Sequence, residues 1–596
     1  MRYQQKKDTS MNKQSFMGFL LIALVIILLP KYYEWVNPQP ELSPTDSTGI
    51  VESIPKPEQT VIETQQPTKP SSQKIVNNIP DREITIETDL YKTIISNQAG
   101  GTFESFKLKQ HFQIDGNDTA LVELINKDQQ ESPFLSFINV NKGQRENLFN
   151  NFEVLNFDKQ SAVINGKDSL TLRFKYVYDG KDIFRNFTFY ADKYYINLEN
   201  NLVKVSNDIA SENFELKWLG GISYSEDDLD DENRYSNAYA SIPEDVEKLK
   251  LKNTEPVGTQ FAGTTEWTAI RSKYFAVAMV PSQSAAGYEL TGTGKLKQAG
   301  EEEKLHKYFG MSLSLPKYKS MDTKIYLGPL KQSLLKEVDP DLDNIMSFGA
   351  AFIRPISKAV LWLFTNMYKV IPNYGFVLIL FSILVKVLLH PLTVKSTQSM
   401  KAMSKLQPKI NELKEKHDGY QQKIQQETMK LYGEHGVNPM GGCLPLLLQM
   451  PILFALFTVF RTTIQLRHAP FILWITDLSA PDALFTLPFS IPFYGQYVNL
   501  LPMVMVVSQI LMQKMSGQSQ SPQQKQMALI MPIMFFFIFN NFPSGLNLYY
   551  TLFNILTIVQ QRYFTPEPKL KKKKGKQKKS RLERMRELQQ KRKNFK

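Results

Sequence analysis

Cysteine is almost absent from this sequence, because Cys443 is the single cysteine among 596 residues. A lone cysteine excludes a disulfide bond within the chain, so any exported part must be stabilised by packing alone. The sequence also lacks a phosphate-binding Gly-Lys-Ser/Thr loop and a cluster of His and Cys with metal-ligand spacing. We therefore expect no catalytic residues, no cofactor and no metal site.

Acidic residues are missing from the apolar segments as well. Paired carboxylates within the membrane, or a duplicated pattern of broken helices, are typical of ion-coupled transporters. Neither occurs here, which argues against ion-coupled transport.

Long apolar segments are abundant, and five of them are nearly free of charge. The last can cross a membrane twice, because Pro543, Ser544 and Gly545 break it near its middle. The sequence therefore predicts an all-α transmembrane bundle of about six spans and excludes a wholly soluble enzyme. The segments are residues 16–29, 374–392, 442–464, 497–513 and 527–564.

The distribution of Lys and Arg predicts the orientation of these spans. The loops 393–440 and 514–526 are enriched in Lys, and the C-terminal tail holds most of the net positive charge of the chain. The loop 465–496 has one Arg against two Asp, and its Pro, Phe and Leu content is typical of an outside loop near the lipid surface. Both termini are therefore expected in the cytoplasm and the long polar segment outside, as in a multi-pass membrane protein.

The polar segment has two parts with different compositions. Residues 36–80 are rich in Pro, Ser, Thr and Gln, which is typical of a disordered linker. Short runs of period-two alternation follow, with turns such as Asp179-Gly180, and they predict an all-β sandwich. The acidic run 226–232 is expected to be a solvated loop.

These patterns give the chain five regions. Residues 346–564 include an interfacial helix near 356–370 and a cytoplasmic helical hairpin at 393–440. That hairpin has a Met-containing apolar face, which could bind clients or simply pack one arm against the other. The regions are a cytoplasmic N-terminus with the first anchor (1–35), the linker (36–80), the β-sandwich domain (81–345), the membrane core (346–564) and a basic cytoplasmic tail (565–596).

One charged residue, Lys386, stands inside a predicted span. Ser382, Lys386 and His390 recur every four residues and therefore share one helix face. No other span contains Asp or Glu, so Lys386 is expected to face an aqueous groove that is open to the cytoplasm. The alternative is a lysine close to a misplaced helix end.

The last span carries a second polar face. Asn547, Tyr550, Asn554, Thr557 and Gln561 follow spacings of three and four residues. Such a stripe can line a groove, or it can hold neighbouring helices together through hydrogen bonds. We favour the groove, whose predicted lining residues are Lys386, Ser382, Gln449, Tyr549, Tyr550, Asn547 and Asn554.

Five short motifs stand out in the C-terminal part of the sequence. They are His390-Pro391-Leu392-Thr393, Leu406-Gln407-Pro408-Lys409-Ile410, the run NPMGGCLPLLLQMPILFALF from Asn438, Arg467-His468-Ala469-Pro470-Phe471 and PSGLNLYY from Pro543. At these residues the sequence resembles the YidC/Oxa-type membrane protein insertases of the bacterial inner membrane, in the long form with a periplasmic domain. The resemblance is dense over residues 350–564 and looser in the polar part, around residues 267–280 and 326–329.

The resemblance implies a periplasmic β-super-sandwich and an insertase and chaperone that uses a hydrophilic, cytoplasm-open groove without consuming nucleotide. The family usually has arginine where this chain has Lys386, a change that keeps the charge but loses the bidentate fork. Implied partners are nascent membrane proteins, the Sec translocon, the ribosome through the tail and cytoplasmic loops, and membrane lipid, but no DNA. A solute transporter or channel is the alternative function, and a carbohydrate-processing enzyme in the β-domain is a third.

Overall fold

The computed structural model describes residues 79–568 with gaps at 116–117, 127–131, 227, 300–301, 418–419, 438–443, 492–493 and 516–521. The predicted first anchor, nearly all of the linker, Cys443 and the tail beyond residue 568 lie outside these described residues. The described chain divides into two compact units. One comprises residues 79–347 with 462–465, and the other comprises residues 348–461 with 466–568.

The first unit is built mainly of β-strands, as the alternating sequence pattern predicts. Its described strands, in chain order, are β1 (Glu83–Glu87), β2 (Tyr91–Ser96), β3 (Thr102–Asp115), β4 (Asp118–Glu123), β5 (Phe134–Ile138), β6 (Arg145–Asn147), β7 (Glu153–Val154), β8 (Ser161–Val163), β9 (Ser169–Tyr178), β10 (Lys181–Tyr190), β11 (Tyr195–Asn201), β12 (Asn213–Trp218), β13 (Asn237–Ile242), β14 (Asp245–Leu249), β15 (Val257–Thr265), β16 (Trp267–Arg271), β17 (Phe275–Pro281), β18 (Ala285–Ala299), β19 (Glu302–Pro316) and β20 (Met321–Pro329). Its two α-helices within the described residues are α1 (Leu229–Tyr235) and α2 (Gln332–Val338).

Three sheets share one hydrophobic core in this unit. Their strand orders are β4-β3-β2-β1-β8, β14-β13-β16-β17-β20-β11-β10-β9-β7 and β15-β18-β19-β12-β5-β6. Pairing is antiparallel except between β1 and β8. Phe103 brings the sheets together, because its ring lies 6.0 Å from that of Phe187 and 6.1 Å from that of Trp218. The three aromatic residues belong to three different sheets, so the core is continuous.

The hairpin of β9 and β10 shows why the sequence folds in this way. Side chains along β10 alternate between buried and half-buried positions, as the period of a strand requires. Asp179 and Gly180 connect the two strands with φ angles of 47° and 78°. Two positive φ angles define the two-residue turn that suits strand twist, and Asp-Gly is a favoured pair for it.

The acidic run 226–232 is not the solvated loop that its charge suggests. Residues 229–232 form the start of α1, and Asp228, the N-cap residue before the helix, accepts hydrogen bonds from the backbone N–H groups of Asp230 and Asp231. Glu232 is fully buried, and Asp231 pairs with Lys273 at 2.7 Å. Acidic residues favour the first turn of a helix because of its dipole, and tertiary partners then bury two of them.

The second unit is helical, with one β-hairpin. Its described helices are α3 (Arg354–Tyr368), α4 (Tyr374–Lys416), α5 (Gln421–Glu434), α6 (Leu444–Thr462), α7 (Leu500–Met515), α8 (Pro522–Phe539) and α9 (Ser544–Tyr563). The hairpin consists of β21 (Ala483–Ile491) and β22 (Gly495–Asn499). The interruption between α8 and α9 lies at the Pro-Ser-Gly break that the sequence predicts.

Helix α4 differs from the sequence prediction. A span at 374–392 and a separate cytoplasmic arm from about residue 395 were expected, but α4 is one helix of 43 residues that continues through Pro391 and Pro408. A proline removes one backbone hydrogen bond and bends a helix without having to end it. Helix α5 forms the second arm of the hairpin.

Length and composition identify one described helix, Tyr374–Lys416, as able to cross a membrane. Shorter apolar helices cover Leu448–Thr462, Leu500–Met515 and Ile530–Phe539. The observed architecture is therefore a largely β-sheet N-terminal region followed by a helical C-terminal part.

Candidate functional site

Lys386 lies in the contact between α4 and α9. Its side chain is 7% exposed, and Nζ donates a hydrogen bond of 2.7 Å to Oγ1 of Thr557. Nζ also lies 4.3 Å from the centre of the Phe553 ring, within the range of a cation–π interaction. Among the residues that the structure describes, no carboxylate forms an ion pair with Lys386. A hydroxyl group and an aromatic ring therefore hold this charge.

The other two residues of the predicted helix face have different surroundings. The Ser382 hydroxyl is fully buried and donates to the backbone oxygen of Leu378 in its own helix. Nδ1 of His390 lies 2.9 Å from Nε2 of Gln560, and the same amide nitrogen donates to Oγ1 of Thr393 at 2.8 Å. Polar contacts therefore continue from Lys386 along the α4–α9 contact.

Gln560 is a residue of this contact that the sequence did not single out. The 3-4 spacing selected its neighbour Gln561, which lies on the continuation of the Asn547 stripe. Gln560 follows Thr557 by three residues, so the two side chains lie on the same helix face, which is about 100° wide. A polar stripe drawn through Thr557 and Gln560 would therefore have included this residue. We call the contact formed by Lys386, His390, Thr393, Thr557 and Gln560 the polar seam.

Asn547 and Asn554 hold helices together in the structure. Both side chains are buried, at 0% and 1% exposed. Nδ2 of Asn547 donates to the backbone oxygen of Phe539 at 3.1 Å, which ties α9 to the end of α8. Nδ2 of Asn554 donates to Oγ of Ser508 in α7 at 3.0 Å. These contacts favour the helix-contact alternative for both residues.

Tyr549, Tyr550 and Gln449 are also buried between the helices. The Tyr549 ring packs 6.1 Å from both Phe381 and Phe553, while the Tyr550 ring packs 5.5 Å from Phe539. The Gln449 side chain lies beside the Tyr549 hydroxyl, and within the described residues Nε2 of Gln449 and that hydroxyl have no hydrogen-bond partner other than each other.

The two arms of the helical hairpin, which belong to α4 and α5, pack against each other through the apolar face of α4. Leu406 is fully buried, and it forms a cluster with Ala402 and Val437 against which Met403 and Leu431 pack. This arrangement favours ordinary packing between the arms over a free client-binding face.

The chain just after α9 forms ion pairs with the C-terminal part of α4. Nζ of Lys401 lies 3.6 Å from the Glu567 carboxylate, and Nζ of Lys405 lies 2.6 Å from it. The Lys405 ammonium lowers the pKa of Glu567. The described residues contain no group of three or more His, Cys, Asp and Glu side chains that could hold a metal ion.

Two families match the sequence. Residues 366–573 match the 60Kd inner membrane protein family, and residues 83–363 match the YidC periplasmic domain. The second match covers almost the whole β-sheet unit and the first covers α4 to α9, so together they account for both described units.

Similar proteins are named membrane protein insertase YidC. The protein of Chlorobaculum tepidum is 34% identical over 571 residues, which cover 93% of this chain and 94% of that protein. The protein of Chlorobaculum parvum is 34% identical over 566 residues, with the same coverage. Among solved structures, the chain is similar to one described as an active YidC insertase crystal structure with the first transmembrane domain resolved. The match covers 82% of this chain and 94% of the chain in that structure, with 20% sequence identity and a TM-score of 0.35.

These relatives are insertases rather than enzymes or solute transporters, so the transporter and carbohydrate-enzyme alternatives are set aside. Identity above 30% over nearly the full length of both chains is decisive for membership. The chain therefore belongs to the YidC family of membrane protein insertases, inner-membrane proteins with a periplasmic domain.

Proposed function

We propose that a client protein enters along the polar seam, with its hydrophilic stretch beside Lys386 while its apolar segment moves into lipid. The main support is the environment of Lys386, which is buried and contacts the Thr557 hydroxyl and the Phe553 ring. Within the described residues it forms no ion pair with a carboxylate. An uncompensated charge within a span costs roughly 2.5–3.5 kcal/mol, and an acidic client segment would offset that cost.

The distribution of polar contacts supports a groove that opens towards the cytoplasm. From Lys386 the seam continues through His390 and Gln560, and Lys401 donates to the backbone oxygen of Gln561 beyond them. In the opposite direction, Phe381 and Tyr549 pack together. A polar path on one side and aromatic packing on the other would admit a client from one face of the membrane only.

The proposed topology has six spans and two cytoplasmic termini. The Lys-rich loops 393–440 and 514–526 support it through the positive-inside rule. The proposed domain boundaries are those of the sequence analysis, with the disordered linker at 36–80, the periplasmic domain at 81–345, the membrane core at 346–564 and the tail from 565.

We further propose three partners besides the nascent clients. The basic tail and cytoplasmic loops suit the ribosome, whose RNA attracts clustered Lys and Arg. The same charge suits anionic lipid at the cytoplasmic membrane surface. Cooperation with the Sec translocon is proposed from family membership alone.

Autonomous insertion is the activity to test first. A small two-span client is synthesised on ribosomes in the presence of liposomes that contain only this purified protein, and protease-protected fragments are counted. Protection above that of empty liposomes is expected. Protection equal to the empty-liposome background, while a known insertase works in parallel, would contradict autonomous insertion.

A further inference from the structure

The β21–β22 hairpin exposes apolar side chains that no described part of the chain covers. Leu484, Phe485 and Phe489 are 50%, 57% and 61% exposed, and Tyr497 on the second strand is 37% exposed. Contiguous exposed apolar side chains on a protein surface mark a contact with a partner or a membrane.

Charge is absent from the hairpin and from most of the helix that follows it in the sequence. Between Asp482 and Lys514 the sequence contains no Asp, Glu, Lys or Arg. Within the described chain β21 pairs with β22 alone, so its outer edge is open. Proteins that expose such an edge to water usually place charges on it to prevent aggregation. An uncharged open edge instead suits a surface that water does not reach.

One carboxylate joins the start of the hairpin to the start of a span. Oδ2 of Asp482 accepts hydrogen bonds from the backbone N–H groups of Leu500 at 3.1 Å and Leu501 at 2.7 Å. It also accepts one from Nε1 of Trp474 at 3.0 Å. Strand β22 ends at Asn499 and α7 begins at the next residue. The base of the hairpin is therefore fixed at the level where α7 starts.

The other end of β22, next to the hairpin turn, is held by the residue that follows α8. Nδ2 of Asn540, just after α8, donates to the backbone oxygens of Tyr494 at 2.9 Å and Tyr497 at 2.8 Å. The Tyr494 ring also packs 5.5 Å from the Phe536 ring. Because both ends of β22 contact helix ends, the hairpin lies across the end of the bundle.

We propose that the exposed hairpin face, defined by Leu484, Phe485 and Phe489, docks into the outer leaflet of the phospholipid bilayer at the boundary between headgroups and acyl chains. The inference rests on the proposed topology, which puts this end of the bundle outside. Aromatic and aliphatic side chains without charge are the composition that this boundary favours. A protein partner at the same face is the competing occupant.

The test measures the depth of spin labels in the full-length protein. In a Cys443→Ser background, single cysteines replace Phe489 or Phe485 and carry a nitroxide, and the protein is reconstituted into liposomes without any partner. Val163 in β8, which is 65% exposed, provides the matched control at an apolar surface position of the β-sheet unit. Accessibility to oxygen reports lipid, and accessibility to a nickel chelate reports water.

We expect the ratio of oxygen to nickel accessibility to be several-fold higher at positions 485 and 489 than at 163. Nickel accessibility at both hairpin positions equal to that at 163 would overturn the inference and favour a protein partner. Agreement of the two hairpin labels guards against local distortion by either substitution.

A separate measurement tests the topology on which the inference rests. A membrane-impermeant maleimide is added to spheroplasts that express the protein with a cysteine at Val163 or at Tyr420, which is 71% exposed next to α5. Reaction at 163 without reaction at 420 supports the topology. Reaction at both positions would contradict the topology itself. Reaction at 163 alone, combined with water-accessible labels on the hairpin, would contradict only the docking of the hairpin.

Discussion

At the scale of single residues, the two contacts of the Lys386 ammonium group determine how strongly its charge is stabilised within the protein. The Thr557 hydroxyl and the Phe553 ring each stabilise an ammonium group less than a carboxylate would. On the proposed function, a lysine with these two contacts is able to attract an acidic client segment. That capacity depends on charge sign rather than on a fixed bidentate geometry.

Charge reversal at this residue gives the first prediction. Lys386→Glu should reduce the insertion of clients with acidic outside segments by about tenfold, which corresponds to roughly 1.4 kcal/mol. Lys386→Arg should retain activity because it preserves the charge. The liposome protection assay measures both, and clients with neutral outside segments provide the control. Equal activity of the two variants would show that charge sign is unimportant at this position.

Glu232 gives a second prediction, in the β-sheet unit. Burial raises its pKa from the ordinary value of 4.5 to about 7, although the backbone N–H groups of Ser225 and Lys273 donate to the carboxylate. The folded state then binds a proton more tightly than the unfolded state. The resulting stability is fully present below pH 4.5 and is lost as pH rises through about 7, with an upper limit of about 3 kcal/mol.

Thermal unfolding of the full-length protein, followed by tryptophan fluorescence, tests this pH dependence. We expect the difference in stability between the native protein and Glu232→Gln to change between pH 4.5 and 7 and to be constant below that window. An unchanged difference across the window would mean that Glu232 is ionised throughout, held by its N–H donors.

At the scale of helices, a hydrogen bond from Asn554 to Ser508 joins α9 to α7 within their packing contact. Asn554→Ala should lower the stability of the purified protein by about 0.6–2 kcal/mol, the range for polar contacts between membrane helices. Client insertion, measured at a temperature where the variant is folded, should stay close to that of the native protein. A loss of insertion comparable to that of Lys386→Glu would instead assign Asn554 to the groove.

The start of α4 gives a fourth prediction. A Cβ atom on Gly375 would lie 1.8 Å from a carbon of the Phe471 ring, so Gly375→Ala requires the ring or the helix to move. Overpacking of this kind costs about 1–3 kcal/mol. Gly433 near the end of α5 is a matched control, because its Cβ would meet nothing within 4 Å. Gly433→Ala should be neutral or slightly stabilising, and thermal unfolding compares the two variants.

At the scale of the whole molecule, net charge is concentrated at one end of the chain. Residues 566–596 contain fifteen Lys and Arg against three acidic residues, while the whole chain carries a formal charge of +13. The rest of the protein is therefore nearly neutral. Association with a polyanion should depend on the tail rather than on the folded units.

Truncation after residue 568 tests this dependence. Binding of the full-length protein to ribosomes should fall steeply with salt, and the truncated protein should bind weakly at any salt concentration. Co-sedimentation with ribosomes and with anionic liposomes measures the two candidate partners separately. Equal ribosome binding by both forms would assign that interaction to the Lys-rich loops 393–440 and 514–526.

The β-sheet character of the first unit, the Asp179-Gly180 turn and the break before α9 were predictable because they depend on neighbouring residues. Period-two alternation, a turn dipeptide and a Pro-Ser-Gly sequence each act within a few positions. The acidic run was wrongly expected to be solvated because Asp231 is buried by Lys273, 42 positions away. The continuity of α4 through Pro391 was missed for a related reason, since a proline's local preference can be outweighed by the flanking helix.

The sequence by itself determined the class of the protein: apolar segments separated by polar ones, the β-sheet unit, the motifs that mark its family and the position of Lys386 within an apolar segment. These features follow from hydropathy, periodicity and charge, which are properties of the chain in order. Only the tertiary structure decided that Lys386 meets Thr557, that Gln560 joins the seam, that Asn554 binds Ser508 and that an uncharged hairpin lies across the bundle end. Each of these contacts depends on how the helices are rotated and packed against one another. Local sequence patterns do not predict that arrangement, because it is determined by residues far apart in the chain.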